Sequence, residues 1–217
     1  MHADDRKLVT DESPTAQGTK VAVIGVGGGG MNCLEALLKR EWPGVQFIAV
    51  NRDKLRIRKW AGSDNILLDA EKNSRDRIEV AVMSQELCIR SILAGKDTLI
   101  LIAGLGGMTG TYATPIIARI AKTMGIKTWA IAFTPFAFEG EQRKQQSQEG
   151  IQLLKQQSVA ELIIANQQLI GVCESYTSMY EAFSQIEEVA AKVVGSIVEN
   201  GEISKNVRDE NFKYICW

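Results

Sequence analysis

The 217-residue chain has one histidine, four prolines, four cysteines and no long apolar run, and each scarcity closes off a class of function. The histidine, His2, stands in a polar N-terminal stretch, which argues against imidazole metal sites, Ser-His-Asp triads and histidine acid–base chemistry. Cys33, Cys88, Cys173 and Cys216 lie far apart with no C-x-x-C pair, so they read as isolated thiols of a reducing compartment, not as a disulfide frame or a zinc site. No apolar run reaches the ~18 residues of a membrane span, and residues 1–17 are too polar for a signal peptide. A cytoplasmic location without a transmembrane segment is therefore expected. An excess of one charge is missing too: 25 Lys+Arg face 26 Asp+Glu, a net charge of −1, so no bulk basic field recommends nucleic acid or an anionic membrane. Proline is too sparse for a Pro-rich linker, and no internal repeat is visible.

What the sequence does have is alternation. Short β-branched runs at 21–25, 46–50, 65–68, 98–103, 128–133 and 160–165 are separated by longer amphipathic stretches, as βαβ units around a parallel sheet require. Several runs are almost wholly apolar, which suits strands covered on both faces. Crossover helices are expected over 29–40, 54–60, 75–94, 111–124 and 141–157. From 178 to 199 the apolar residues Met179, Phe183, Ile186, Val189, Val193 and Ile197 recur at helical period, and Ser178 with Glu181 has capping-box spacing. The fold class expected is α/β, a Rossmann-like doubly wound parallel sheet of about six strands followed by a long central helix. The polar tail after Asn200 ends in a short mixed run that reads either as an edge strand or as disorder.

Two glycine loops carry the chemistry. The first, Gly25-Val-Gly27-Gly28-Gly29-Gly30-Met-Asn32, follows the first strand and opens a helix, where bare backbone and a helix N-terminus suit a phosphate. Gly25, Gly27 and Gly30 also satisfy G-x-G-x-x-G, and no Gly-Lys-Ser/Thr follows, so a Walker-type loop is excluded. The second, Gly104-Leu-Gly106-Gly107-Met-Thr109-Gly110-Thr111, follows the fourth strand and again opens a helix. In a doubly wound sheet the fourth strand is expected beside the first at the switch point, so two such loops facing each other imply a chain of phosphates held from both sides.

These loops, with Ala49-Val-Asn51 after the second strand and Thr134-Pro-Phe-Ala-Phe-Glu139-Gly and Ile164-Ala-Asn166 downstream, resemble the FtsZ branch of the tubulin superfamily over about residues 20–198. That family joins a nucleotide-binding domain, a central helix and a second α/β domain, binds GTP and polymerises head to tail. The polar residues 1–17 are expected to be disordered, and the resemblance implies a nucleotide-binding domain over 18–175, a central helix over 176–200 and a tail over 201–217. It implies GTP or GDP as ligand, with Mg²⁺ as a possible companion and a further copy or an FtsZ-type protein as partner. Gly27, Gly28, Gly29, Gly30 and Asn32 correspond to the first phosphate loop, and Gly106, Gly107, Thr109, Gly110 and Thr111 to the loop that wraps the phosphates. Asn51 follows the second strand; Glu139 and Arg143 match ribose and nucleotide contacts, although their i, i+4 spacing equally suits a surface ion pair. Asn166 and Phe183 match the base contacts. Where the family has an Asn-Asp pair facing guanine this chain has Glu187 and Glu188, which keep the carboxylate chemistry on a longer arm.

Three departures bear on activity. The glycine-rich loop that the family places after the third strand is replaced by a stretch containing Lys72 and Arg75, the available substitutes near the last phosphate. Met108 and Tyr112 stand where the family has glycine; a left-handed Met108 would be strained by roughly 1–2 kcal/mol, whereas Tyr112 is expected inside a helix. The acidic pair that positions water against the nucleotide of the next subunit is reduced to Asn206-Val207-Arg208-Asp209, with Asp209 the remaining catalytic candidate, and no stretch resembles the second domain. Self-contained hydrolysis is therefore not expected. Other readings stay open: a GTPase completed by a partner's acidic loop, a scaffold with a decayed pocket, or an NAD-binding Rossmann oxidoreductase with Asp53 on the ribose.

Overall fold

The structure, a computed structural model, describes residues 20–70, 74–157, 159–166, 179–205, 207 and 215–216. The six β-branched runs form parallel strands: β1 Val21–Val26, β2 Val45–Asn51, β3 Asp64–Leu67, β4 Thr98–Gly104, β5 Lys127–Thr134 and β6 Ala160–Ala165. A short β7, Ile215–Cys216, adds antiparallel to β6 and gives the sheet order β3-β2-β1-β4-β5-β6-β7. The tail thus takes the edge-strand alternative at that point. The connecting helices are α1 Gly27–Leu37, α2 Lys54–Arg58, α3 Arg75–Ser84, α4 Glu86–Leu93, α5 Met108–Thr123 and α6 Glu141–Gln156, followed by α7 Met179–Asn200.

Strand residues alternate between two apolar layers because successive side chains leave opposite faces of a sheet. Ala22, Ile24, Leu99 and Leu101 point toward α3, α4 and α5, meeting Ile78, Val82, Leu93 and Ile117. Val23, Ile100, Ile102 and Phe133 point the other way, toward Leu34 and Leu37 of α1 and Ala190, Val194 and Ile197 of α7. The long last helix is therefore a structural wall of the sheet, its apolar stripe buried at Ile186, Ala190, Val193, Val194 and Ile197. Truncating one of these fully buried aliphatics to alanine typically costs about 2–5 kcal/mol.

One expected helix, 75–94, is two. Gln85 (φ −96°, ψ 6°) both closes α3 and opens α4, and the Ser84 hydroxyl donates to the Ala81 carbonyl at 2.8 Å, a local bond that competes with the helix ladder. The bend lets Ile78 and Val82 on one side of it, and Ile89 and Leu93 on the other, reach the same core. Ser178, the expected cap of α7, lies outside the described residues, as do residues 1–17.

Chain order runs outward from β1 to β2 and β3, then returns to the opposite flank with β4. The reversal falls between β1 and β4, where α1 and α5 leave on opposite faces and open a crevice at the carboxyl ends of the strands.

Candidate functional site

The two glycine loops meet at that reversal. Gly27 (φ 72°) and Gly106 (φ 91°) take left-handed turns that let the chain leave β1 and β4 directly into helices. Elsewhere the absence of a side chain is needed for contact between backbones. A Cβ on Gly29 would stand 3.2 Å from the Gly104 Cα, one on Gly110 2.2 Å from the Gly104 carbonyl oxygen, and one on Gly30 2.2 Å from the Ile102 carbonyl oxygen. Gly107 differs: a Cβ there would meet nothing within 4 Å. The second loop is braced by its own threonines, Thr111 Oγ1 accepting from the Gly106 N–H at 2.9 Å and Thr114 Oγ1 donating to the Gly110 carbonyl at 2.6 Å.

Between the loops lies a cavity of about 320 Å³. Its lining follows the sheet edge: Gly28, Gly29 and Asn32 after β1, Gly107, Thr109 and Gly110 after β4, Glu139 and Arg143 after β5, Asn166 after β6, and Phe183 and Glu187 from α7. Gly28, Gly29, Thr109 and Gly110 belong to the first turns of α1 and α5, whose N–H groups have no intrahelical acceptor. An anion between them finds donors and two positive helix ends.

The far end is made of side chains. Arg143 donates to Glu139 at 2.5 Å, and the other Glu139 oxygen accepts from the Phe136 N–H at 2.8 Å, so ion pair and loop brace are one unit. Asn166 is buried, and its Oδ1 has no hydrogen-bond partner among the described residues. Phe183 stands edge-on to Phe136 at 5.4 Å and remains 38% exposed, and Phe136 stacks on Phe138 at 5.2 Å. Burial raises the Glu187 carboxyl above its ordinary pKa, with Glu35 adding to the shift and Lys39 opposing it. Cys33 also lines the cavity; burial, reinforced by Glu187, pushes its thiol up to about 12, so it is a packing residue and not a nucleophile.

A family model described as "Tubulin/FtsZ family, GTPase domain" matches residues 20–174. The chain belongs to the Tubulin/FtsZ family. Among curated relatives, Cell division protein FtsZ of Buchnera aphidicola is 36% identical over 187 residues, 82% of this chain and 48% of that protein. Cell division protein FtsZ of Pseudomonas aeruginosa is 35% identical over 190 residues, 84% of this chain and 48% of that one. The chain thus spans about half the length of the curated relatives it matches. Of solved structures, an empty FtsZ dimer from M. jannaschii superposes with a TM-score of 0.77 at 28% identity, over 86% of this chain and 56% of that one. The fold is shared with CetZ2 from Haloferax volcanii, a GTPγS-bound protofilament, at a TM-score of 0.72 and 21% identity, over 88% of this chain and 62% of that one.

Within this Tubulin/FtsZ-family site some expected residues stand behind the lining. Gly27, Gly30, Gly106 and Thr111 shape the loops without facing the cavity. Asn51 is buried beneath the β2–α2 turn, where its Oδ1 accepts from the Arg52 N–H at 2.8 Å. Glu188 is a correction: it leaves the cavity and pairs with Arg40 at 2.5 Å, because consecutive helical residues lie about 100° apart and cannot share one face. Arg75 is another, since it pairs with Glu79 at 2.7 Å and with Glu149 and lies over the Tyr112 ring instead of facing the phosphate end. Met108 is the first residue of α5, right-handed and unstrained, while Tyr112 is inside that helix as expected. Lys72, Arg208 and Asp209 lie outside the described residues.

Sequence reasoning missed Arg56. From α2 it donates to the Gly28 carbonyl at 3.2 Å, Asn32 Oδ1 at 2.8 Å and Glu35 Oε1 at 2.9 Å, tying the first glycine loop to the next strand's turn. No motif signals it. Among the described residues no cluster of His, Cys, Asp and Glu could hold a metal, and no helix is long and apolar enough to cross a membrane.

Proposed function

We propose that the chain binds a guanine nucleotide, GTP or GDP, with its phosphates between the two glycine loops and its base against α7. The observation that carries this is the pairing of opposite ends in one cavity: first-turn backbone of α1 and α5 at one end, and at the other a buried Asn166 oxygen with no donor among the described residues. Unpaired buried acceptors are costly, and a base N–H is a fitting partner.

In this reading Gly107, which has open space where a side chain would stand, admits the phosphates to the backbone N–H groups, and the Thr109 hydroxyl adds a donor. Glu139 and Arg143 take the ribose. Phe183 stacks on the base, a contact that any base accepts. Glu187 supplies the choice: guanine offers two adjacent donors on its Watson–Crick edge, which one carboxylate accepts together, whereas adenine offers one donor and one acceptor. Mg²⁺, if used, would be held largely by phosphate oxygens and water.

By kinship with an FtsZ whose solved structure is a dimer, the chain assembles with further copies or with an FtsZ-type partner. Hydrolysis is a second reading, in which the acidic group comes from outside the described residues. Among the described lining residues the carboxylates are Glu139 and Glu187, which follow β5 and stand on α7, at the ribose and base end. An acidic loop from a partner subunit would complete the site, and phosphate release on mixing with a full-length FtsZ-type protein tests it.

For binding itself, calorimetry on nucleotide-free protein is the test. GTP and GDP are expected to bind, and the double substitution Gly107→Ala with Thr109→Ala to weaken both by about 10–100-fold, the range of one to two hydrogen bonds to a charged group. No binding of either nucleotide at high micromolar concentration would remove the proposal.

A further inference from the structure

Three helices meet at one cluster of side chains behind the second glycine loop. Tyr112 of α5 is buried, and its hydroxyl donates to Glu149 of α6 at 2.8 Å. Arg75, the first residue of α3, pairs with Glu149 and with Glu79 at 2.7 Å, and its guanidinium lies over the Tyr112 ring, 5.6 Å from the centroid. Burial, reinforced by the bond to Glu149, pushes the Tyr112 phenol up to about 12, so it stays a donor at neutral pH. None of these side chains lines the cavity. We propose that Tyr112, held by Glu149 and Arg75, is a positioning residue that keeps the second glycine loop in its phosphate-receiving shape before a nucleotide arrives. What the loop receives rests on the guanine-nucleotide reading above.

The loop needs such a hold. Gly104, Gly106, Gly107 and Gly110 leave it mostly without side chains, and glycine loses more conformational freedom on ordering than any other residue. The helix that follows anchors it weakly, because Pro115 lies inside α5 and has no N–H to give the Thr111 carbonyl four residues back. The helical ladder is thus interrupted where the loop ends.

Side chains carry the hold from Tyr112 to the loop. Consecutive residues of α5, Thr111 and Tyr112, meet consecutive residues of α6, Gly150 and Glu149: Tyr112 bonds Glu149, while a Cβ on Gly150 would stand 2.8 Å from Thr111 Cγ2. The bare Gly150 thus lets α6 press on Thr111. Thr111 Oγ1 in turn accepts from the Gly106 N–H at 2.9 Å, and the Thr111 N–H donates to the Gly107 carbonyl at 3.0 Å. Two turns earlier α6 reaches the loop again, where a Cβ on Gly106 would stand 2.8 Å from the Arg143 carbonyl oxygen. Of these two approaches only the one at Tyr112 adds a directional side-chain bond. The glycine that the resembled signature has at this position offers none.

The test is amide hydrogen exchange on the nucleotide-free protein, followed by calorimetric titration with GDP, for the full chain and for Tyr112→Phe, Glu149→Ala and Glu149→Gln. Tyr112→Phe keeps the ring and removes the hydroxyl alone. It is expected to speed exchange at Gly106 and Thr111 by about threefold to tenfold, to leave the α2 amide of Ile57 unchanged, and to weaken GDP by about the same factor as the loop amides gain. Glu149→Ala should match it, and Glu149→Gln, which keeps an acceptor for the hydroxyl, should recover part of both effects. Unchanged exchange at Gly106 and Thr111, or an equal rise at Ile57, would overturn the hold. Faster exchange in the loop with GDP affinity unaltered would overturn the positioning role while leaving guanine binding intact. Failure of the unsubstituted chain to bind GDP would instead overturn the guanine reading, and the exchange pattern alone would then decide whether Tyr112 holds the loop.

Discussion

The two ends of the cavity are built on different principles. At the proposed phosphate end the lining is largely backbone, and its shape depends on residues with no side chain: Gly30 and Gly110 sit where a Cβ would stand 2.2 Å from a carbonyl oxygen. At the proposed base end the lining is side chains, Asn166, Phe183 and Glu187, hung on the end of β6 and on a helix anchored in the core. The close-packed glycines of the first end can be changed only by disturbing the fold. The second can be edited one chemical group at a time.

Substitution at the two ends sharpens that contrast. Gly110→Ala drives a methyl into the Gly104 carbonyl, and backbone cannot yield cheaply, so a loss of about 3 kcal/mol or more and a fall in melting temperature of about 6–12 °C are expected in a thermal melt. Nucleotide binding should go with it. An unchanged melting temperature would show that the loops do not touch as described.

Phe183→Ala acts at the other end. With the ring 38% exposed and anchored by Phe136, its removal should leave the melt nearly unchanged and weaken guanine and adenine nucleotides alike by about tenfold, within the ~1–3 kcal/mol of a base stack. A change in base preference instead would mean that Phe183 selects the base.

Glu187→Gln separates selectivity from stability. Burial raises the folded pKa of this carboxyl above its unfolded value, so its contribution to stability is present below the ordinary glutamate range and is lost as pH rises through the raised value. Removing the charge should therefore raise the melting temperature slightly, by about 1 °C, at neutral pH and leave it unchanged in acid, while the preference for GDP over ADP falls. In the unsubstituted chain GDP affinity should drop on acidification sooner than an ordinary glutamate would dictate. Glu188→Gln is the smallest effect. It removes a half-exposed pair with Arg40, worth about 0.5 kcal/mol or less, and should leave nucleotide affinity within about twofold.

The same contrast explains what could be read from sequence. The strands, the crossovers and both glycine loops were legible because they are repeating or contiguous: β-branched runs make strands, and a glycine run between strand and helix has few other uses. Glu188 was misread because adjacent letters suggest one site, whereas a helix turns them to different faces. Arg75 was misread because proximity to a loop in sequence said nothing of Glu79 and Glu149, which claim it in the fold. The Gln85 break was hidden since both halves keep helical period and the bend depends on a common core. Arg56 was invisible for a further reason. Charged residues after a strand read as a solvated turn, and only the tertiary approach of that turn to Gly28 gives Arg56 its partners.

The most direct test of a guanine site built between two glycine loops is calorimetric titration of the nucleotide-free chain with GDP, ADP and NAD under one set of conditions. GDP binding at least tenfold tighter than ADP, with NAD silent, is the expected result. Equal affinities for GDP and ADP, or tighter binding of NAD, would contradict it.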